Sequence, residues 1–465
     1  MLNDNLYTQV ELFSGCGGMA LGLTRAGFRT LAFVEKDMSA GDTFERNFTS
    51  INRNKIARFG DITTISDPTT LLAGQTINQL DLLAGGPPCQ AYSRAGRGKL
   101  ASIKGEKSAH LDDSRGQLYK NYLMFVKELK PKAVLMENVP EIMNHGGDNL
   151  AEIICQDLDS MGYEARYTVL NCASYGVPQY RERWFMLAFR NDLRIIPKFP
   201  CPTHNASDFN ITAFSPIILL QKAIQAGSRH AVIPPLTENN LPNAISVGEA
   251  LSDLPFTTYF ENGRSNSKKN YCENLNDSLP YNSVPTNSFQ NEVRNWPGIV
   301  CSPKVTANLF RLTERDFPIF ARMNPSDRYI DALNIAYNIL AEEIDKRGLA
   351  NVASEDSRIV NLKASIVPPY PEDKFLDKWR MLNPSSPSHT VVAHLAVDTY
   401  SHIHYDKTQA RGVTVRESAR LQSFPDGFVF TRNMGESFRQ IGNAVPPIVA
   451  YKLGVQIRKL LENKC

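Results

Sequence analysis

The stretch Val10-Glu-Leu-Phe-Ser-Gly-Cys-Gly-Gly18 decides the fold of this chain. The stretch Val10 to Phe13 predicts a short strand, the glycines predict a tight turn, and the amphipathic stretch Met19 to Ala26 predicts a helix. A second strand over Thr30 to Val34 and a second helix over Met38 to Phe48 repeat this order. Because strands that alternate with helices pair in parallel through right-handed crossovers, the sequence predicts an α/β domain built on a parallel sheet.

The same alternation continues to about residue 199 and then stops. Short buried strands are predicted over Asp81 to Ala84 and Ala133 to Met136, with helices over Gln117 to Leu129 and Leu150 to Met161. Beyond Phe199, proline, asparagine and serine become frequent, and helical patterns return only over residues 414–422 and 444–461. We therefore predict one domain from residues 1–199, completed by residues 431–465, and a second, irregular domain over residues 200–430.

The composition argues against several classes of protein. The 465 residues are 42% hydrophobic and 21% charged, with a net charge of +3, which is typical of a globular protein and not of a disordered chain. No apolar run approaches the roughly 18 residues of a membrane span, and the N-terminus lacks the order of a signal peptide. The eight cysteines include no CxxC pair, which argues against a zinc ribbon and predicts a reducing intracellular compartment.

The glycine turn is compatible with more than one ligand class. Glycines between a strand and a helix let the backbone approach a ligand at the helix N-terminus. Gly15, Gly17 and Ala20 loosely satisfy the dinucleotide fingerprint, and Glu35 lies where a ribose-binding acid belongs. A nicotinamide enzyme is therefore one interpretation at this point, and a tight turn without a ligand is another.

A second string, Gly85-Gly-Pro-Pro-Cys-Gln-Ala-Tyr-Ser93, follows the predicted strand Asp81 to Ala84. Its two prolines would rigidify the turn and hold the thiol of Cys89 in a set direction. A buried structural thiol is the alternative for any cysteine. Residues 90–110 carry a local charge of +4 and three glycines, which favours a loop that closes over a phosphate backbone.

Three charged residues lie beside predicted strands, and the first of them is expected on the same rim of the sheet as the glycine turn and the Pro-Pro-Cys turn. Glu137 directly follows a predicted strand, and Arg181 and Arg183 alternate just before the predicted strand Trp184 to Phe189. Both guanidinium groups could therefore face one anion or carbonyl. Alternatively, Glu137 is an ordinary capping acid, and the two arginines lie on the surface. His402 and His404 lack a third spaced ligand, so no metal site is predicted.

Together, these strings resemble the motifs of the DNA (cytosine-5) methyltransferase family, of the bacterial restriction-modification type. Pro87-Pro-Cys-Gln90 and Glu137-Asn-Val139 are similar to the two catalytic motifs of that family. The other four strings are similar, in the family's order, to its cofactor loop, its arginine motif and its two closing motifs: Phe13 to Gly18, Gln179 to Arg183, Arg416 to Pro425 and Gln440 to Val445. The resemblance covers residues 8–460. It implies a Rossmann-like S-adenosylmethionine-dependent methyltransferase domain, with residues 200–430 forming a target-recognition domain.

The resemblance implies that the enzyme methylates carbon 5 of cytosine in double-stranded DNA. Because that carbon is a poor nucleophile, the thiolate of Cys89 is expected to add first to carbon 6. Glu137 would protonate or hydrogen-bond ring nitrogen 3, Arg183 would hold the exocyclic oxygen, and Arg181 would favour the thiolate. Loss of the carbon-5 proton then expels Cys89. The base must leave the DNA helix for this chemistry, and the basic loop after Cys89 would close behind it.

S-adenosylmethionine is the cofactor that the resemblance implies, without a metal. Its amino-acid part is assigned to the glycine turn, with Phe13, Gly15, Gly17 and Gly18. Its ribose is assigned to Glu35, and its adenine to Asp61 and Ile62. The rest of the pocket is assigned to residues of the catalytic and closing motifs, namely Gly86, Pro88, Asn443 and Val445.

Two alternatives stay open beside this interpretation, whereas methyl transfer leaves no role for a nicotinamide. A tRNA methyltransferase on the same scaffold is one, although those relatives lack so long a segment before the closing motifs. A non-catalytic DNA-binding protein is the other, and the intact Cys89, Glu137 and Arg183 argue against it.

The expected partner is double-stranded DNA, bound by a cytoplasmic, bacterial monomer whose substrate lies in the nucleoid. A companion restriction endonuclease is compatible with the sequence. Base reading is expected within residues 200–385. The Asn/Ser-rich stretch Glu261 to Asn291 is favoured over the basic segment Arg311 to Arg322.

Overall fold

The computed structural model describes most of the chain: residues 7–52, 56–88, 118–144, 148–206, 216–236, 240–261, 264–265, 272–371 and 378–463. Cys89 and the basic stretch 90–110 lie outside the described residues, as does part of the Asn/Ser-rich stretch.

The first half of the chain supplies the strands of the central sheet. They are β1 Tyr7–Leu12, β2 Phe28–Val34, β3 Ala57–Phe59, β4 Leu82–Gly85, β5 Ala133–Asn138, β6 Tyr163–Asn171 and β8 Glu182–Arg190, with the short β7 Gln179–Tyr180 leading into the last. The seven-stranded sheet has the order β3-β2-β1-β4-β5-β8-β6. The strands β1 to β5 pair in parallel, and β8 runs antiparallel between β5 and β6.

Helices cover both faces of this sheet and also form much of the second half of the chain. The first four are α1 Gly18–Arg25, α2 Met38–Asn52, α3 Leu118–Leu129 and α4 Leu150–Ser160. The later ones are α5 Pro216–Gln225, α6 Val247–Leu251, α7 Ser288–Arg294, α8 Phe317–Phe320, α9 Tyr329–Lys346, α10 Ser357–Ile366, α11 Val415–Leu421, α12 Met434–Asn443 and α13 Pro447–Glu462. Alternate strand residues point to opposite faces, so Leu82 and Leu135 pack with α1, α2 and α13, while Leu83 and Val134 pack with α3 and α4.

This architecture confirms the predicted α/β class. The strand order reverses between β1 and β4, and ligands of open α/β sheets bind at the carboxyl ends of the strands at such a point. The glycine turn follows β1, and the Pro-Pro-Cys string follows β4. The last helix begins at Pro447 and not at the predicted Ala444, because proline suits the first turn of a helix but not its interior.

The segment 200–430 contains more helix than the sequence analysis predicted. Its helix α9 has 18 residues, with buried side chains at the helical spacing Ala332, Leu333, Ala336, Ile339 and Leu340. These side chains join a separate hydrophobic core with Phe317 and Trp379. The residues 413–430 instead pack into the core shared with α1 and α13. Among the described residues, no helix is long and apolar enough to span a membrane.

Candidate active site

The carboxyl ends of β4 and β5 bring the predicted catalytic motifs together. Gly86 follows β4, and a methyl group on its Cα would lie only 3.0 Å from Glu137 Oε2. Asn138, at the end of β5, donates a hydrogen bond of 3.2 Å to the carbonyl oxygen of Pro87. The turn that leads to Cys89 is therefore fastened to the strand that carries Glu137. Asn138 is 2% exposed, and the sequence analysis assigned it no role.

Glu137 lies inside β5 and not beyond its end, and it is paired with one of the predicted arginines. The distance between Arg183 Nε and Glu137 Oε1 is 3.2 Å, and both side chains are largely buried. Burial raises the pKa of Glu137, although the positive charges of Arg183 and Arg181 act in the opposite direction. The pair thus places a carboxyl group that holds its proton more strongly than usual beside a guanidinium donor.

Arg181 has different neighbours. Its Nη1 donates to the carbonyl oxygen of Val391 at 2.9 Å, and its Nη2 donates to the carbonyl oxygens of Gly442 and Ala444 at 3.1 and 3.2 Å. Both nitrogens thus bind main-chain oxygens of segments far along the chain. The two predicted arginines therefore contact separate groups in this structure: Arg183 the carboxylate of Glu137, and Arg181 these carbonyls.

A cavity of about 400 Å³ opens beside Arg183. One wall comes from the strand region, with Tyr180 and Glu182, and the other from the segment 200–430, with Arg380 and His389. Burial and the nearby Glu141 raise the pKa of Glu182 to about 7. The cavity is therefore polar, and it lies where the catalytic rim meets the second half of the chain.

The glycine turn has the tight geometry that its sequence predicts. Gly15 and Gly17 have φ angles of +54° and +93°, a region that favours glycine. A methyl group at Gly18 would lie 2.4 Å from the carbonyl oxygen of Val445. The predicted cofactor loop and the last closing motif are therefore in direct contact, although 427 residues separate Gly18 from Val445. Asn443 is exposed beside this contact.

Two acids follow the next strands along the same rim. Glu35, after β2, accepts hydrogen bonds of 2.7 Å from the backbone N–H groups of Gly15 and Asp37, and burial raises its pKa. Asp61, after β3, forms an ion pair of 2.7 Å with Lys36, which lowers the pKa of Asp61 to about 2. Each carboxylate oxygen keeps lone pairs that can accept from further donors. The chemistry of these groups fits the hydroxyl and amino groups of a nucleoside, while the Ile62 side chain is buried in the core.

The histidines at 402 and 404 have protein neighbours in this structure. His404 lies 3.5 Å from Glu417, and His402 packs against the ring of His389. Within the described ranges, no group of three or more His, Cys, Asp or Glu side chains is arranged to hold a metal ion.

The fold and the site define a class of enzyme, and comparison with known proteins agrees. The family of C-5 cytosine-specific DNA methylases matches residues 7–459, so the chain belongs to this family. It is therefore an S-adenosylmethionine-dependent DNA (cytosine-5) methyltransferase, and the predicted family and enzyme class are confirmed.

Similar proteins match along their whole length. A protein of Oceanobacillus iheyensis described as a type II methyltransferase is 41% identical over 463 residues, which cover 98% of this chain and 96% of that protein. The type II methyltransferase M.AgeI of Thalassovita gelatinovora is 30% identical over 475 residues, covering 97% of this chain and 98% of M.AgeI. A crystal structure described as a prophage-encoded DNA modification methyltransferase of E. coli has a TM-score of 0.62 over 98% of this chain and 99% of its own, at 21% identity. This last likeness shows the fold alone.

Proposed function

We propose that the protein is a site-specific DNA methyltransferase of a restriction-modification system, which methylates cytosine through a covalent Cys89 adduct on a flipped-out base. The observation that carries the proposal is the largely buried pair of Glu137 and Arg183, 3.2 Å apart, at the carboxyl end of β5 and the adjacent amino end of the antiparallel strand β8. The whole-length similarity to type II methyltransferases supports the restriction-modification context.

In the proposed reaction, Cys89 attacks carbon 6 of cytosine, and negative charge builds up on the ring toward nitrogen 3. Glu137 donates a proton or a hydrogen bond to that nitrogen, for which its raised pKa suits it. Arg183, the other member of the pair, donates to the exocyclic oxygen of the base. A base that inserts here must share these two groups, which now bind each other.

Further support comes from the packing around the catalytic turn. The hydrogen bond from Asn138 to Pro87 fastens the turn that precedes Cys89 to β5. Arg181 would contribute positive charge that favours the thiolate of Cys89, as the resemblance implies. Removal of the carbon-5 proton completes the reaction, because it expels the thiolate and restores the aromatic ring.

S-adenosylmethionine would supply the methyl group from a site over the ends of β1 to β4. The glycine turn, with Phe13, Gly15, Gly17 and Gly18, would face its amino-acid part, and Glu35 would accept from its ribose hydroxyls. Asp61 and Ile62 would bind the adenine, and the pocket would be completed by Gly86, Pro88, Asn443 and Val445.

Sequence recognition is proposed to lie within residues 200–385 of a target-recognition domain that spans residues 200–430. The arginines of the segment 311–322 are already bound within the protein: Arg311 to the carbonyl of Ala396, Arg315 to Asp316 and Arg322 to Glu342. This favours the stretch Glu261 to Asn291 for reading bases, although Gln290 within it is buried and bonded to Glu249.

The cellular setting follows from the same proposal. We expect a cytoplasmic monomer that acts on double-stranded DNA in the nucleoid, with a companion endonuclease that cleaves the same sequence when it is unmethylated.

Bisulfite sequencing of DNA from cells that express the protein tests the proposal. Wild-type protein should protect cytosines in one sequence context, and the Cys89→Ser variant should protect none, because serine cannot form the adduct at a useful rate. Cys201→Ser is the matched control, since Cys201 is exposed and lies outside all six motifs. If Cys89→Ser protects cytosines to within tenfold of the wild-type level, the mechanism is excluded. If the folded wild type protects no cytosine, the activity itself is excluded.

A further inference from the structure

Arg181 belongs to a buried network that joins three distant parts of the chain. With Gln179 and Gln422 it forms a set of polar side chains that are 2% exposed or less, which we name the Gln179–Arg181 network. Buried polar groups of this kind are usually fully hydrogen-bonded, and their partners therefore show what they hold in place.

The first partner is the target-recognition segment. Val391 uses both of its main-chain polar groups: its N–H donates to Gln179 Oε1 at 3.0 Å, and its carbonyl accepts from Arg181 Nη1 at 2.9 Å. Nearby, the short strand β9 Ser388–His389 pairs in parallel with β7. Gln179 and Arg181 thus fix the chain directly after His389, and His389 lines the cavity beside Arg183.

The second partner is the pair of closing motifs. Gln179 Nε2 donates to the carbonyl of Leu421 at 2.8 Å and to the side chain of Gln422. Arg181 Nη2 donates to the carbonyls on both sides of Asn443, and Gln422 also donates to that of Ala444. Val445, the next residue, contacts the glycine turn at Gly18.

We propose that Gln179 and Arg181 are positioning residues that couple the binding of DNA to the binding of the cofactor. A shift of the target-recognition segment on DNA moves Val391, and the two side chains transmit that shift to the carbonyls beside Asn443. The planar, five-donor fork of arginine can bind three carbonyls at once, which lysine cannot. This inference rests on the proposed function, because it requires that residues 200–385 bind DNA.

The test measures the affinity for S-adenosylhomocysteine by calorimetry on the full chain, alone and with a saturating duplex that carries the site found by sequencing. For the wild type, DNA should tighten binding by about fivefold or more, the lower end of usual coupling between sites. Arg181→Lys and Gln179→Met should reduce this factor to below about twofold. If Arg181→Lys does not fold, the result for Gln179→Met decides the test, because methionine fills nearly the same volume as glutamine.

Tyr163→Phe is the matched control, since Tyr163 is also buried and donates to a main-chain carbonyl, that of Pro131 at 2.8 Å, outside the network and the motifs. It should keep the wild-type factor. The inference is overturned if the wild type shows no coupling, if both network variants keep it, or if Tyr163→Phe loses it equally. Failure of the proposed function would look different, because the wild type would then methylate no DNA at all.

Discussion

At the scale of single residues, the environment of Glu137 determines what its carboxyl group can do. Burial raises its pKa, and the neighbouring arginines only partly oppose this effect. The group is therefore protonated up to a higher pH than a free glutamic acid and loses its proton as the pH rises through the raised pKa. A carboxyl group that keeps its proton nearer neutral pH is well suited to donate to a ring nitrogen.

Glu137→Gln should lower the single-turnover rate of methylation by about 10²- to 10⁴-fold, the usual contribution of a positioned acid. DNA affinity should change much less, because most of it comes from phosphate contacts elsewhere. The fall of the wild-type rate on the alkaline side, where Glu137 loses its proton, should be absent in the variant. Glu164→Gln, which removes a carboxylate from β6 of the same sheet, is the control and should retain the wild-type rate. A parallel loss of DNA binding and rate would assign Glu137 a structural role.

Single residues also show where sequence reasoning ends. Glu137 and Arg183 could be identified because each lies in a short motif beside a strand. The partners of Arg181 could not, since Val391 lies 210 residues away and offers only a main-chain carbonyl, which every residue possesses. Asn138 was visible in the motif, but its bond to Pro87 depends on how β4 and β5 pair.

At the scale of elements, the turn between β1 and α1 depends on how closely the C-terminal closing motif approaches it. A methyl group added at Gly18 would lie 2.4 Å from the carbonyl oxygen of Val445 and 3.1 Å from the side chain of Ala444. The strand, the turn and the start of the helix followed from the local sequence. The contact did not, because it joins the two ends of the chain.

Gly18→Ala should weaken the binding of S-adenosylhomocysteine by about 5- to 150-fold, because overpacking of this kind costs about 1–3 kcal/mol and displaces the residues next to Asn443. Calorimetric titration of the purified protein gives the affinity. Gly60→Ala is the control, since a methyl group there would have no atom within 4 Å. If the two variants bind equally well, the closing motif does not shape the cofactor site.

At the scale of the whole molecule, buried charges hold distant parts of the segment 200–430 against one of the closing motifs. Arg420 on α11 is fully buried and pairs with Asp253 at 2.7 Å and Asp426 at 2.6 Å. Asp253 also binds Arg294 of α7. Such pairs are costly to break, because removing one partner leaves the other charge buried. Their consequence is a fixed position of Asp253 and Arg294 relative to the first closing motif, whose helix α11 packs into the core shared with α1 and α13.

The sequence predicted the alternating half of this molecule much better than the segment 200–430. Alternation of strands and helices has a strong local signal, and six ordered motifs identified the family. The helix α9 was missed although its apolar spacing is regular, because the surrounding prolines and asparagines dominated the interpretation of that region. How the elements of the segment 200–430 pack together depends on pairings such as Arg420 with Asp253, 167 residues apart, which no local pattern contains.

The central claim is that Cys89 forms a covalent bond to the cytosine that is methylated. The most direct measurement uses a duplex that carries 5-fluorocytosine at the recognised position, together with S-adenosylmethionine, followed by denaturing electrophoresis and peptide mass mapping. Because fluorine cannot leave as a proton does, the adduct should persist through denaturation in wild-type protein and map to Cys89, and Cys89→Ser should yield none. A wild-type enzyme that methylates ordinary cytosine but forms no denaturant-stable adduct, or forms it at another residue, would contradict the account.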